Sequence, residues 1–178
     1  MQFVALLRGI NVGGANKVEM KLLKGAFEKA GFTDVKTYIN SGNVLFSDNN
    51  RNSEHLITKI ESLIEETFGL KIHVLIRTAA QIHELCDYLP DSWQNNAEMK
   101  CDVMFLWDEI DSPDVLALLP KPKEFEEVRY VSGAVLWKVD RSLITKSKML
   151  GIIGTPLYKK MTIRNCNTVR KLGVLLGV

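Results

Sequence analysis

Short strand-like runs and amphipathic helical stretches alternate through the first eighty residues, in an order that few folds can satisfy. Phe3 to Leu7 is an apolar run of the length expected for a buried strand. It ends in a glycine-rich loop, Arg8 to Gly14. Val18, Met20, Leu23, Phe27 and Ala30 then recur at helical spacing, while Lys21, Lys24, Glu28 and Lys29 fall on other faces. Gly31 supplies the stop, because glycine accepts the left-handed conformation that ends a helix. Val35 to Ile39 and Asn43 to Phe46 predict two strands, with turn chemistry at Asn40-Ser41-Gly42 between them. A second helix is capped by Ser53, buries Leu56, Ile57, Ile60, Leu63, Ile64 and Phe68, and ends at Gly69. Lys71 to Arg77 alternates as a strand does, with Ile72, Val74 and Ile76 on one side.

The resulting order, β-α-β-β-α-β, is the ferredoxin-like pattern within the α+β class. In that pattern the first and third strands are central, antiparallel neighbours. The end of the first strand at Arg8 and the start of the third after Ser41-Gly42 therefore fall at one edge of the sheet. Two polar loops far apart in sequence are expected to meet there.

The second half reads as α-β-α-β-β-α. A helix runs from Thr78 to Leu89, Cys101 to Trp107 is a strand, and Ser112-Pro113 opens a short helix through Leu119. Glu126 to Val131 and Ala134 to Val139 form a hairpin around Ser132-Gly133. A short helical stretch leads to Gly151, and a last helix runs from Asn165 to Leu176. This predicts two sub-domains, residues 1–78 and 79–178, the second a related copy of the first in architecture. No residue-level repeat is evident.

Composition bounds the functional classes. The 178 residues are 46% hydrophobic and 25% charged, the balance of a globular chain that needs no disulfide to hold a core. No run approaches the roughly 18 apolar residues of a membrane span. The N-terminal Met1 to Gly14 has no basic leader before its short apolar stretch, and reads as a strand rather than a signal peptide. Cys86, Cys101 and Cys166 are odd in number and widely spaced, which predicts free thiols and a cytoplasmic location. Charge is uneven: from Arg141 onward there are eight basic residues and no acidic one, whereas the first 140 residues hold the other 15 basic residues and all 21 acidic ones. Such asymmetry points either to an anionic partner or to an acidic segment of the same chain.

Three polar segments carry the candidate site. The loop of Arg8, Asn11, Gly13 and Gly14, with Lys17 beyond it, joins a strand to a helix, where backbone N–H groups can hold an anion. It matches neither the phosphate-binding loop of nucleotide hydrolases nor the dinucleotide fingerprint. A tight turn is the plainer explanation of its glycines. The hairpin at Asn40, Ser41 and Asn43 has more polar side-chain atoms than a turn requires. The third segment, Thr162 to Thr168, stands at the start of the last helix. Thr162 or Asn165 can cap that helix, Arg164 offers a fork for a carboxylate or phosphate, and Asn167 and Thr168 add further polar groups.

Catalytic signatures are thin. His55, His73 and His83 lack metal-ligand spacing. His83 and Cys86 share a helix face that Cys101 could approach, but a structural zinc site wants four ligands, so no metal and no cofactor are expected. Cys166, beside Arg164 at a helix start, is a candidate for a lowered thiol pKa without an evident base. Asp108, Glu109 and Asp111 read as solvated loop charge, and Trp93, Trp107 and Trp137 as core residues. The third strand, Asn43 to Phe46, lacks the aromatic motif of RNA-recognition sheets.

Three stretches, Ala5 to Gly14, Thr37 to Val44 and Thr162 to Val169, resemble the bacterial family catalogued as domain of unknown function 1697. The resemblance spans nearly the whole chain and implies a cytoplasmic protein of two α+β sub-domains without implying an activity. The family usually carries an aromatic residue, most often Trp, where this chain has Cys166, which suits a packing position better than a catalytic thiol.

The sequence thus predicts a binding protein for an anionic ligand, either a phosphorylated small molecule or a nucleic-acid backbone. Arg8 and Arg164 would supply charge, and Asn11, Asn40, Ser41, Asn43, Asn165 and Thr168 would orient the ligand. Two alternatives stand beside it. One is an enzyme, a transferase or hydrolase using the same groups. The other is a structural role in which the polar residues lock the two halves.

Overall fold

The computed structural model describes residues 1–50 and 52–177. The chain forms two compact units, one built on Met1–Ala80 and the other on Gln81–Leu175. Each is α+β with a four-stranded antiparallel sheet.

The first unit runs β1 (Gln2–Leu7), α1 (Met20–Lys29), β2 (Thr33–Tyr38), β3 (Asn43–Ser47), α2 (Ser53–Phe68) and β4 (Val74–Thr78). Its strand order is β2-β3-β1-β4, the ferredoxin-like arrangement. Alternation along the strands sends Phe3, Ala5, Leu7, Val44, Phe46, Val74 and Ile76 to the face where Leu23 and Phe27 of α1 and Leu56, Ile60 and Ile64 of α2 complete a core. Phe3, Phe27, Phe32 and Phe46 meet there in stacked and edge-on contacts. The opposite face carries Val4, Leu6, Leu45, Leu75 and Arg77, all buried as well.

Local chemistry sets the helix ends. Asn52, not Ser53, is the N-cap of α2, its side chain accepting from the His55 N–H at 3.0 Å. Gly69 closes the same helix in the left-handed conformation, φ 67°. The fourth strand starts at Val74 rather than Lys71, where pairing with Leu7 of β1 begins.

The second unit runs α3 (Ala79–Tyr88), β5 (Met99–Leu106), α4 (Val115–Leu118), β6 (Glu126–Val131), β7 (Ala134–Asp140), β8 (Met161–Asn165) and α5 (Cys166–Leu175). Short 3-10 turns lie at Asp108–Ile110, Arg141–Lys146, Met149–Ile152 and Tyr158–Lys160. Strand β8 corrects the sequence expectation, which placed these residues at the start of the last helix. Met161 and Ile163 alternate with Thr162 and Arg164, and the first pair faces the core of Met104, Leu106, Val135 and Trp137. β8 pairs antiparallel with β5 from Leu106↔Met161 to Asp102↔Asn165. The sheet order is β6-β7-β5-β8, the same as in the first unit.

With β8 in place, a repeat emerges. Ile76-Arg77-Thr78-Ala79-Ala80-Gln81-Ile82 and Ile163-Arg164-Asn165-Cys166-Asn167-Thr168-Val169 occupy the same strand-to-helix junction. Both arginines are buried. Each donates from Nη1 to the carbonyl of the residue before it, at 3.0 Å for Arg77 and 2.8 Å for Arg164. The ends of the two central strands match too. Leu7 N–H donates to Gly42 O at 2.8 Å, and Leu106 N–H to Gly133 O at 2.9 Å.

Gly42 is fixed by space. A Cβ there would lie 2.8 Å from Leu7 Cβ and from Ile10 Cδ1, and its φ is +83°. Gly42→Ala is expected to destabilise the protein by about 2–4 kcal/mol, from left-handed strain and overpacking together. A urea unfolding midpoint measures this, and an unchanged midpoint refutes the contact.

Candidate functional site

The two polar loops of the first unit do meet. Leu6 pairs with Asn43 at the end of the β1·β3 ladder, and the next residues of each chain segment enter the loops. Between Arg8 and Lys17 the chain forms a miniature hairpin. Asn11 N–H donates to Asn16 O at 3.1 Å, and Ala15 N–H to Val12 O at 3.0 Å. Gly13 and Gly14, φ 58° and 80°, are its two central residues. Two left-handed residues in succession define a type I′ turn, which is why glycine occupies both. The N–H groups of Gly13 and Gly14 have no protein acceptor among the described residues.

This turn is not a helix N-terminus. Helix α1 begins at Met20, its cap position is the acidic Glu19, and no side chain caps it. The expectation of an anion held by helix amides next to the glycines is therefore replaced by an exposed turn with cationic neighbours.

Asn11 joins the two loops. Its Oδ1 accepts from Val18 N–H at 2.8 Å, and its Nδ2 donates to Val18 O at 3.0 Å and to Asn40 O at 2.9 Å. The residue adopts a left-handed conformation, φ 53°, which asparagine tolerates better than most residues. Asn43 has a similar role. Fully buried, its Nδ2 donates to Tyr38 O at 2.9 Å and to Ser41 Oγ at 3.2 Å. These amides and the Ser41 hydroxyl hold the turn together. Lys17, Asn40, Gly13 and Gly14 are exposed, and Arg8 is half-buried. Ile39, at the tip beside Asn40, is exposed with φ 50°, a costly conformation for a β-branched side chain.

The third segment lies in the second unit, across the β8-to-α5 junction. Arg164 is buried, and its Nη1 donates to Thr162 Oγ1 at 3.0 Å. Burial pulls the pKa of its guanidinium down to about 10. Asn165 caps α5, its Oδ1 accepting from Thr168 N–H at 2.9 Å. Thr168 is buried. Asn167 donates from Nδ2 to Asn95 O at 2.8 Å. Within this unit these groups fasten the start of α5 and the segment at Asn95.

The sequence did not disclose the polar ties of residues 90–98. Arg170 donates to Trp93 O at 2.8 Å and to Pro90 O at 2.7 Å, and Arg141 donates to Asn96 O at 2.5 Å. Trp93 is buried, with the Arg129 guanidinium 4.8 Å from its ring centre. A run of polar residues between two predicted elements gives no sign of such partners, which lie more than thirty-five residues away. Asp111 likewise leaves its expected place as solvated loop charge. It accepts from Tyr130 Oη and from Gly133 N–H, both at 2.9 Å. Among the described residues no group of three or more His, Cys, Asp or Glu is placed to hold a metal. His83 lies 3.6 Å from Asp87 on its own helix. No helix among them is long and apolar enough to cross a membrane.

The profile of the family described as "Protein of unknown function (DUF1697)" matches residues 1–137, which takes in the first two polar segments and most of both sheets. The chain belongs to that family. Its third polar segment lies beyond the matched residues. The fold is similar to that of the conserved bacterial protein SP0830 from Streptococcus pneumoniae, with a TM-score of 0.83, 26% identity and 98% of each chain covered. None of the curated proteins matches the chain.

Asn11→Ala removes three hydrogen bonds and leaves the Val18 amide unpaired, so a loss of about 1–3 kcal/mol is expected. Hydrogen exchange at Val18 should accelerate accordingly. Unchanged protection at Val18 would show that Asn11 is not the fastening.

Proposed function

We propose that the chain is a binding protein for an anionic ligand, a phosphorylated small molecule or a stretch of nucleic-acid backbone, acting in the cytoplasm. Ligand contact is assigned to the exposed rim of the first unit: Lys17, Arg8, Asn40 and the amides of Gly13 and Gly14. The observation that carries this reading is the Asn11 clamp. It ties two loops from distant parts of the sequence into one preformed edge, in which Gly13, Gly14 and Lys17 are exposed and Arg8 is half-buried. Preformed donors bind an anion at less ordering cost than a mobile loop does. The left-handed Ile39 adds weight, since backbone strain of this kind collects at functional positions. The acid-free stretch from Arg141 onward favours an anionic partner on the scale of the whole chain.

Base-stacking recognition of RNA on the first sheet receives no support, because the sheet face of Val4, Leu6 and Leu45 is buried. The structural reading keeps a specific observation in its favour. Asn11, Asn43, Asn165 and Asn167 all spend amide groups on nearby protein atoms. These four therefore frame the loops in our reading, and Arg8, Lys17 and Asn40 contact the ligand.

Thermal unfolding with inorganic phosphate, sugar phosphates, nucleoside monophosphates and short single strands tests the proposal. A true ligand at a hundred times its Kd should stabilise the wild type by about 2.7 kcal/mol. The effect should fall sharply in Arg8→Ala and Lys17→Ala. A nucleic-acid backbone is marked by affinity that drops steeply with salt. If no anion stabilises the wild type, or both variants respond as the wild type does, the binding reading fails and the structural one stands.

A further inference from the structure

Two buried thiols of the second unit face each other. The β5·β8 ladder ends with Asp102 opposite Asn165, so Cys101 and Cys166 are opposed one step beyond it. Opposed residues of an antiparallel pair have Cα atoms about 4.5–5.5 Å apart, a spacing that a disulfide spans. The Cys101 N–H donates to Asn95 Oδ1 at 3.4 Å. Cys166 Sγ in turn lies 3.5 Å from Trp93 O and 3.4 Å from Asn167 Oδ1. Neither cysteine is exposed to solvent.

Residues 90–98, between α3 and β5, close over this pair as a strap. The strap contains no helix or strand, and Trp93 alone among its side chains is fully buried. Long-range side-chain bonds fasten it: Arg170 to Trp93 O and Pro90 O, Asn167 to Asn95 O, and Arg141 to Asn96 O and Asn95 Oδ1. Apart from the Trp93 anchor, these ties are exposed or half-exposed, and a segment held in this way opens at less free energy than the whole unit unfolds.

The geometry points to Cys101 and Cys166 as an oxidisable thiol pair that closes to a disulfide under hydrogen peroxide, with opening of the strap as the access step. The Cys166 thiolate attacks one peroxide oxygen. The S–O bond forms, the O–O bond breaks, and the leaving hydroxide takes the proton released by Cys166 to become water. The Cys101 thiol then attacks the sulfenic sulfur. The S–S bond forms, the S–O bond breaks, and the departing hydroxide leaves as a second water with the Cys101 proton. Two electrons pass from the thiols to the peroxide. Cys166 is the attacking partner. It opens helix α5 and shares the Trp93 carbonyl with the Arg170 guanidinium, and the neighbouring Cys101 thiol and that guanidinium lower its pKa against the opposing effect of burial. The neighbouring Cys166 thiol, together with burial, pushes Cys101 up. Cys86 serves as an internal reference, since burial raises it and its thiol donates to Val169 O at 3.8 Å.

The test is peroxide treatment of the full chain, alkylation under denaturing conditions, and peptide mapping without reductant. The expected product is a Cys101–Cys166 linked peptide, reversed by dithiothreitol, with Cys86 still alkylated. Cys166→Ser should abolish the linkage and slow consumption of Cys101, while Cys86→Ser leaves it intact. Arg141→Ala loosens the strap at a distance from the thiols and should speed closure about fivefold or more. The proposal is overturned if Cys101 and Cys166 stay alkylatable at peroxide doses that oxidise Cys86. It is overturned equally if the linkage involves Cys86, or if Arg141→Ala leaves the rate unchanged.

Discussion

The architecture of each unit depends on one pairing, that of its first strand with its third. In the first unit β1 lies between β3 and β4, and in the second β5 lies between β7 and β8. Each central pairing ends in the same bond, from the last residue of the central strand to the glycine of the hairpin turn. That bond brings the turn against the loop leaving the central strand. In the first unit the approach is so close that Gly42 sits where a Cβ would strike Leu7 and Ile10. The site follows from this pairing, because only an antiparallel β1·β3 ladder delivers residues 8–17 and 39–43 to one edge.

What stands at that edge divides into frame and rim. Buried polar groups must find partners, and the asparagines here do so locally. The Asn11 side chain imitates a strand neighbour for Val18, accepting its N–H and donating to its carbonyl. Asn43 closes the hairpin from beneath. With these amides committed, the exposed members of the edge are Lys17, Asn40 and the I′ turn at Gly13-Gly14. Part of the polar motif is therefore taken up in holding the rest in place.

The repeated junctions show how one frame has diverged. Both carry a buried arginine that bonds the preceding carbonyl, then a helix of ten residues. Ala79 stands where the second copy has Cys166, and Val4 in the first central strand stands where the second has Val103, two residues beyond Cys101. The thiol pair belongs to the second copy alone. It lies beneath a strap whose fastening arginines, Arg141 and Arg170, come from the acid-free end of the chain. Part of the basic excess there is thus spent on carbonyl oxygens of the same unit.

The sequence by itself determined the ferredoxin-like order of the first unit, the helix stops at Gly31 and Gly69, the hairpin around Ser132-Gly133, and the meeting of the first two polar loops. These follow from periodicity and turn chemistry, which are local. It could not disclose β8, because five residues with three polar side chains look like a cap until β5 is there to pair with them. Nor could it separate Asn11 from Asn40: the two amides have the same chemistry, and only the positions of Val18 and the Asn40 carbonyl decide that one is clamp and the other rim. The opposition of Cys101 and Cys166 is likewise tertiary. Sixty-five positions separate them, and nothing short of the antiparallel register fixes which side chains face each other.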